Sequence, residues 1–192
     1  MVPLNAPNVL TVIRILLVPV LVVALLEKTG GGDLLAAIVF AVASLTDAID
    51  GYLARSRNWV TTFGKLMDPI ADKLLIIAAL VALVSLNRLE AWVAMVIIAR
   101  EFAVTVLRVA AGTGQGVVIA ASAFGKLKTA CQVAMVLVLI AVHPHSRPAW
   151  VYAVIYVTVV VTVLSGADYF FGFARASGSR SVEPGSPGGV SR

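Results

Sequence analysis

The sequence predicts an all-α integral membrane protein with about six transmembrane helices. Three observations carry this. Of the 192 residues, 60% are hydrophobic and only 13% are charged, against about 25% charged in an average soluble domain. Apolar stretches of about 20 residues, the length needed to cross a bilayer, recur along the chain. The basic residues also cluster in alternate connections, as they do in multi-pass proteins.

The expected spans are 8–26, 34–55, 67–86, 89–111, 124–142 and 149–172. The first apolar run follows Asn8 with no small-residue cleavage site after it, so it reads as the first span rather than a removed signal. Pro3 and Pro7 argue against a long helix before it, and Val2 to Pro7 suits a short interfacial segment. Gly30-Gly31-Gly32 marks a flexible turn after the first span. The links at Asn87-Arg88 and from His143 to Pro148 are short. His143 and His145 have no third ligand nearby and read as a solvated loop.

Arg55, Arg57, Lys65, Arg108, Lys126, Lys128, Arg175, Arg180 and Arg192 all fall on one side of a six-span path, with both termini. Lysine and arginine mark the cytoplasmic side, so both termini are expected there. The other side carries Lys28, Arg88 and Arg147. Residues 1–174 are expected to form one transmembrane domain. The Ser-, Gly- and Pro-rich residues 175–192 are expected to be a disordered cytoplasmic tail. Trp150, Tyr152, Tyr169 and Phe170 suit interfacial aromatic belts. Cys131 is the only cysteine, so no internal disulfide supports the fold. The net charge of +5 suits an anionic membrane surface or substrate and mostly reflects topology; no nucleic-acid binding is read from it.

Four aspartates break the apolar pattern. The second span ends Asp47-Ala-Ile-Asp50-Gly51-Tyr-Leu-Ala54-Arg55, and the third opens Gly64-Lys-Leu-Met-Asp68-Pro-Ile-Ala-Asp72-Lys73. In helices, positions 47, 50, 51 and 54 share one face, as do 64, 68 and 72. Packed antiparallel, the two acidic stripes can meet near the cytoplasmic end. Four carboxylates in a poorly solvated site repel one another unless protonated or neutralised. Oxygen-only ligands suit hard cations such as Mg²⁺ or Mn²⁺, and two such ions would balance four aspartates and grip a pyrophosphate. Gly51 and Ala54 leave room for a nucleotide beside the backbone, and Arg55 can contact phosphate oxygens. Structural pairing of the acids with Arg55, Lys65 and Lys73 is the plain alternative, but burying acids in a membrane is costly and by default functional. An ion or proton transporter also uses such acids. It would spread them through the membrane depth, whereas these crowd one end.

The pattern Asp47-x2-Asp50-Gly51-x2-Ala54-Arg55-x8-Gly64-x3-Asp68-x3-Asp72 resembles the signature of the CDP-alcohol phosphotransferases, with every position filled. The six-span topology is similar to that family's fold as far as about residue 172. The resemblance implies a two-metal site ringed by Asp47, Asp50, Asp68 and Asp72, with Asp72 as general base. It implies nucleotide contacts at Gly51, Ala54, Arg55 and Gly64, transfer of a group from a CDP-linked donor to an alcohol, and a homodimer. Three further stretches resemble the bacterial branch that makes phosphatidylglycerophosphate: Asn8-Val-Leu-Thr11-Val-Ile-Arg14, Ile98-Ala-Arg100-Glu101 with Arg108, and Gly125-Lys126-Leu-Lys128-Thr129. That likeness implies CDP-diacylglycerol as donor, glycerol 3-phosphate as acceptor, and a place in the bacterial inner membrane. Sister enzymes that use inositol phosphate, or that make cardiolipin, share some of these stretches.

An acceptor phosphate needs cations, and Arg100, Arg108, Lys126 and Lys128 are the candidates. Pairing with Glu101 is the alternative for Arg100, and topology alone also places Lys126 and Lys128. Asn8, Thr11 and Arg14 are candidates for the donor's cytidine and phosphates; Arg14 could instead snorkel to the interface. The sequence assigns no role to Glu101 or Asp168.

Overall fold

The computed structural model describes residues 6–27, 31–57, 62–114, 123–142 and 147–178, with side chains at 11–27, 31–46, 73–108, 125–142 and 147–172. The described residues form six helices and no strand: α1 (Ala6–Leu26), α2 (Gly32–Arg57), α3 (Thr62–Ser85), α4 (Ala91–Gly114), α5 (Ala123–Ala141) and α6 (Ala149–Gly178). Each expected span falls on one helix. Pro7 does not delay α1, because a proline in the first helical turn lacks only an N–H that would have had no partner there. Helix α6 runs to Gly178, past the boundary expected at 174. The expected tail beyond it, the Val2 to Asn5 stretch and the two histidines lie outside the described residues.

The turn after α3 shows how the chain reverses. Asn87 takes a left-handed φ of 55°. Its N–H reaches the Val84 carbonyl at 3.0 Å, and the Arg88 N–H reaches the Leu83 carbonyl at 2.8 Å. This is a Schellman cap, with asparagine in the position usually held by glycine. It delivers the Arg88 side chain into the bundle. There the guanidinium donates to both Asp33 carboxylate oxygens at 2.8 Å and to the Ile140 carbonyl at 3.0 Å. Arg88 thereby joins the start of α2, the α3–α4 turn and the end of α5. The Arg147 guanidinium donates to the Asn87 carbonyl at 2.9 Å and ties in the link before α6. At the α1–α2 reversal a Cβ on Gly32 would stand 2.6 Å from the Ala24 carbonyl oxygen, so this approach admits only glycine.

The interior divides by depth. The buried apolar side chains come from the half nearest Arg88: Leu21 and Leu25 of α1, Phe40 of α2, Leu80 and Leu83 of α3, Val93 and Ile97 of α4, Met135 and Leu139 of α5, Val151 and Ile155 of α6. Ala24, Ala36, Ala43, Ala79, Ala82 and Ala94 are buried among them and let the backbones approach. Apart from Arg88, the buried polar residues belong to the other half: Thr11, Arg14, Glu101, Lys128, Gln132, Thr158, Thr162 and Ser165. Helix α1 packs on both α2 and α3, α6 packs on α4 and α5, and α2 meets α5.

Apolar side chains also face outward. Leu16, Val20 and Val23 on α1, and Leu34, Ile38, Val42 and Leu45 on α2, form exposed stripes at helical spacing. Stripes of this extent suit a lipid or protein neighbour better than water. Among the described residues one helix, Ala149–Gly172 within α6, is long and apolar enough to cross a membrane. Trp150 and Tyr152 are exposed at one end of it, and Phe170 and Phe171 at the other. From Trp150 to Phe170 the helix rises about 30 Å at 1.5 Å per residue. That is the thickness of a hydrocarbon core, roughly 30 Å.

Candidate active site

Asp47, Asp50, Gly51, Ala54 and Arg55 lie on α2, and Gly64, Asp68 and Asp72 on α3. The helical backbone there is the condition under which each set shares a face. The side chains of these residues, and that of Asn8, lie outside the described ones. Among the described residues no three His, Cys, Asp or Glu side chains form a metal-sized cluster. Within the same residues α2 and α3 touch little, both being packed on α1.

A cleft opens beside the helix segments that carry the aspartates. Arg14 of α1, Ser44 of α2, Lys73 of α3, Glu101 of α4, and Lys128, Thr129 and Gln132 of α5 line it, above Phe40, Leu75, Ile76 and Val133. Ser44 precedes Asp47 by about 4.5 Å along the helix axis, and Lys73 follows Asp72 directly. The cleft therefore continues from the acidic positions toward the bundle interior. Arg14 is 4% exposed, Glu101 6% and Lys128 7%. Arg14, Lys73 and Lys128 are all engaged with neighbouring groups.

Glu101 organises the wall between α4, α5 and α6. Its Oε1 accepts from Lys128 Nζ at 2.5 Å, from Arg100 at 3.4 Å and from Gln132 Nε2 at 3.4 Å. Gln132, one helical turn after Lys128, also reaches the Thr162 hydroxyl of α6 at 3.4 Å. Arg100 donates to Ser165 Oγ of α6 at 2.7 Å. It folds across Gly166, where an added Cβ would lie 3.1 Å from Arg100 Cγ. Thr105 donates to the Glu101 carbonyl at 2.7 Å.

The four acceptor candidates thus occupy different surroundings. Lys128 lines the cleft. Arg100 lies behind it, turned to α6 and paired with Glu101, the partner that sequence offered as its alternative. Arg108 is exposed, its guanidinium carbon 5.5 Å from the Tyr169 ring centroid, within cation–π range. Lys126 is exposed. Arg14 turns inward to the cleft rather than outward to the interface. Asp168 is exposed on α6. Sequence reading placed neither Ser44 nor Gln132 at the site and treated Lys73 only as an ion-pair partner. The helical spacing of Lys128 and Gln132, and of Ser44 with Asp47, was the available signal.

A helical bundle whose α2 and α3 carry the aspartates, with a cleft lined by Arg14, Lys73 and Lys128 between the helices, suits a membrane phosphotransferase. Residues 4–164 match the family model described as CDP-alcohol phosphatidyltransferase, and the chain belongs to that family of membrane-bound lipid-synthesising enzymes. Over 182 residues it is 43% identical to the CDP-diacylglycerol–glycerol-3-phosphate 3-phosphatidyltransferase of Bacillus subtilis, covering 86% of this chain and 93% of that one. It is 44% identical over 172 residues to the probable phosphatidylglycerophosphate synthase of Mycobacterium tuberculosis, covering 86% and 79%. The similarly named transferase of Rickettsia felis is 35% identical over 170 residues, covering 86% and 93%.

Proposed function

We propose that this enzyme transfers the phosphatidyl group of CDP-diacylglycerol to glycerol 3-phosphate, giving phosphatidylglycerophosphate and CMP. The observation that carries the reading is the complete aspartate signature on two helix ends that border a cleft holding Arg14, Lys73 and Lys128. Relatives at 35–44% identity that bear this activity in their names support the choice of acceptor.

Asp47, Asp50, Asp68 and Asp72 would hold two divalent ions, Mg²⁺ or Mn²⁺. Their hard carboxylate oxygens fit such ions. When bound, the ions polarise the phosphoryl oxygens and balance the charge on the departing CMP. The chain's residues do the rest. A carboxylate oxygen of Asp72 takes the proton from the attacking hydroxyl. Arg55 holds the donor phosphates, and Gly51, Ala54 and Gly64 let the nucleotide lie close to the helices. Asn8, Thr11 and Arg14 contact the donor from α1. Lys128 draws in the acceptor phosphate from the cleft wall, and Arg108 and Lys126 add positive charge from exposed positions on α4 and α5, while Arg100 stays behind the cleft.

The six helices cross the bacterial inner membrane, with the acidic end and both termini in the cytoplasm. The outward apolar stripes and the one-sided distribution of Lys and Arg support this placement. The test is an acceptor panel with purified protein, CDP-diacylglycerol and Mg²⁺, following CMP release. Glycerol 3-phosphate should be the acceptor used. Turnover with inositol phosphate or phosphatidylglycerol, and none with glycerol 3-phosphate, would refute the assignment while leaving the family intact.

A further inference from the structure

Lys128 stands in the second turn of α5, close to the helix end. A lysine there ordinarily snorkels outward, stem along the apolar surface and ammonium in water. Lys128 instead turns inward and is buried. The group that turns it is Glu101 of α4, whose Oε1 lies 2.5 Å from Nζ. Stability alone is a poor reason for such a pair. Desolvating both charges roughly cancels their attraction, and apolar side chains of similar volume serve as well or better. This pair also opens on the cleft, since both residues line it.

The carboxylate is itself fixed. Gln132 holds it from α5 and bonds onward to Thr162, while Arg100 holds it from α4 and bonds onward to Ser165. Three helices therefore fix where the carboxylate stands, and the carboxylate holds the ammonium from the α4 side. An ammonium carries three N–H donors. One engages Glu101, and the positive charge stands at the wall of the cleft that a phosphate would enter. A flexible four-carbon stem anchored this way binds without first losing its rotamer freedom.

We propose that Glu101 is a positioning residue for the acceptor phosphate, holding the Lys128 ammonium at the cleft wall. This rests on the reading of Lys128 as an acceptor-phosphate ligand. Glu101 acts through Lys128 and touches neither the donor nor the reacting atoms.

The test compares the full-length wild type, Glu101→Gln, Lys128→Ala, their double variant, and the exchange Glu101→Lys with Lys128→Glu. Acceptor and donor Michaelis constants, kcat and the melting temperature in detergent are measured for each. Glu101→Gln should raise the acceptor constant about tenfold or more and leave the donor constant unchanged. The double variant should be no worse than Lys128→Ala alone, because the two changes remove one contact. The exchange should restore the melting temperature but not the acceptor constant, since a carboxylate now faces the phosphate. A pair that served only the fold would regain activity on exchange. That result would overturn the proposal, as would an unchanged or lower acceptor constant in Glu101→Gln, or additive losses in the double variant. If Glu101→Gln does not fold, Glu101→Asp, which keeps the charge and shortens the arm, takes its place with the same expected rise. If the wild type prefers another phosphorylated alcohol, the constants are measured for that acceptor. The choice of glycerol 3-phosphate then fails, and Glu101 is judged separately.

Discussion

Replacing Arg88 by alanine should loosen the fold without touching the chemistry. The guanidinium makes two 2.8 Å bonds to Asp33 and one 3.0 Å bond to the Ile140 carbonyl. Removing one partner of a fully buried ion pair costs about 3–5 kcal/mol. The Asp33 side chain keeps 34% of its surface exposed, so solvent offsets part of that loss. The Ile140 carbonyl adds about 1–3 kcal/mol if it stays dry. A net cost of about 3 kcal/mol follows, or a melting temperature lower by roughly 6–12 °C for a chain of this size. Thermal unfolding in detergent measures it. Arg88→Met combined with Asp33→Leu should cost less than Arg88→Ala, because no unpaired charge remains. Michaelis constants for both substrates should be unchanged, since Arg88 lies at the end of the bundle opposite the cleft. Arg88→Ala melting within a degree or two of wild type would refute the reasoning. So would altered Michaelis constants with no change in melting.

Chelation by EDTA should abolish CMP release and added Mg²⁺ or Mn²⁺ restore it; full activity in a metal-free preparation would rule out the two-ion reading. Asp72→Asn should leave a folded protein with turnover lower by on the order of 10²–10⁴-fold, and near-normal turnover would remove Asp72 as general base. Gly166→Ala should push Arg100 off Ser165, because the new Cβ would lie 3.1 Å from Arg100 Cγ. Overpacking of this kind costs about 1–3 kcal/mol, read as a lower melting temperature. Arg108→Ala should raise the acceptor constant roughly tenfold and leave the donor constant alone; the opposite pattern would reassign Arg108 to the donor.

The number of helices was legible in the sequence, because apolar runs of sufficient length announce helices. The placement of the four aspartates on two consecutive helices was legible too, since it depends only on local sequence. Two contacts that organise the bundle were not. Arg88 bonds a carboxylate 55 positions away, and Lys128 bonds one 27 positions away. Sequence counted Arg88 only as a charge on the outer side, and left Glu101 without a role. Such partners depend on which helices become neighbours. In lipid that choice is hidden from hydropathy, because the outward and inward faces are both apolar: Leu35 is exposed beside the buried Ala36, and Leu45 two positions from the buried Ala43. With no contrast in polarity to mark the core, close packing and the pairing of the few buried charges decide the arrangement. Only the tertiary structure could therefore show that Lys128 faces the cleft, Arg100 faces α6, and Glu101 holds them both.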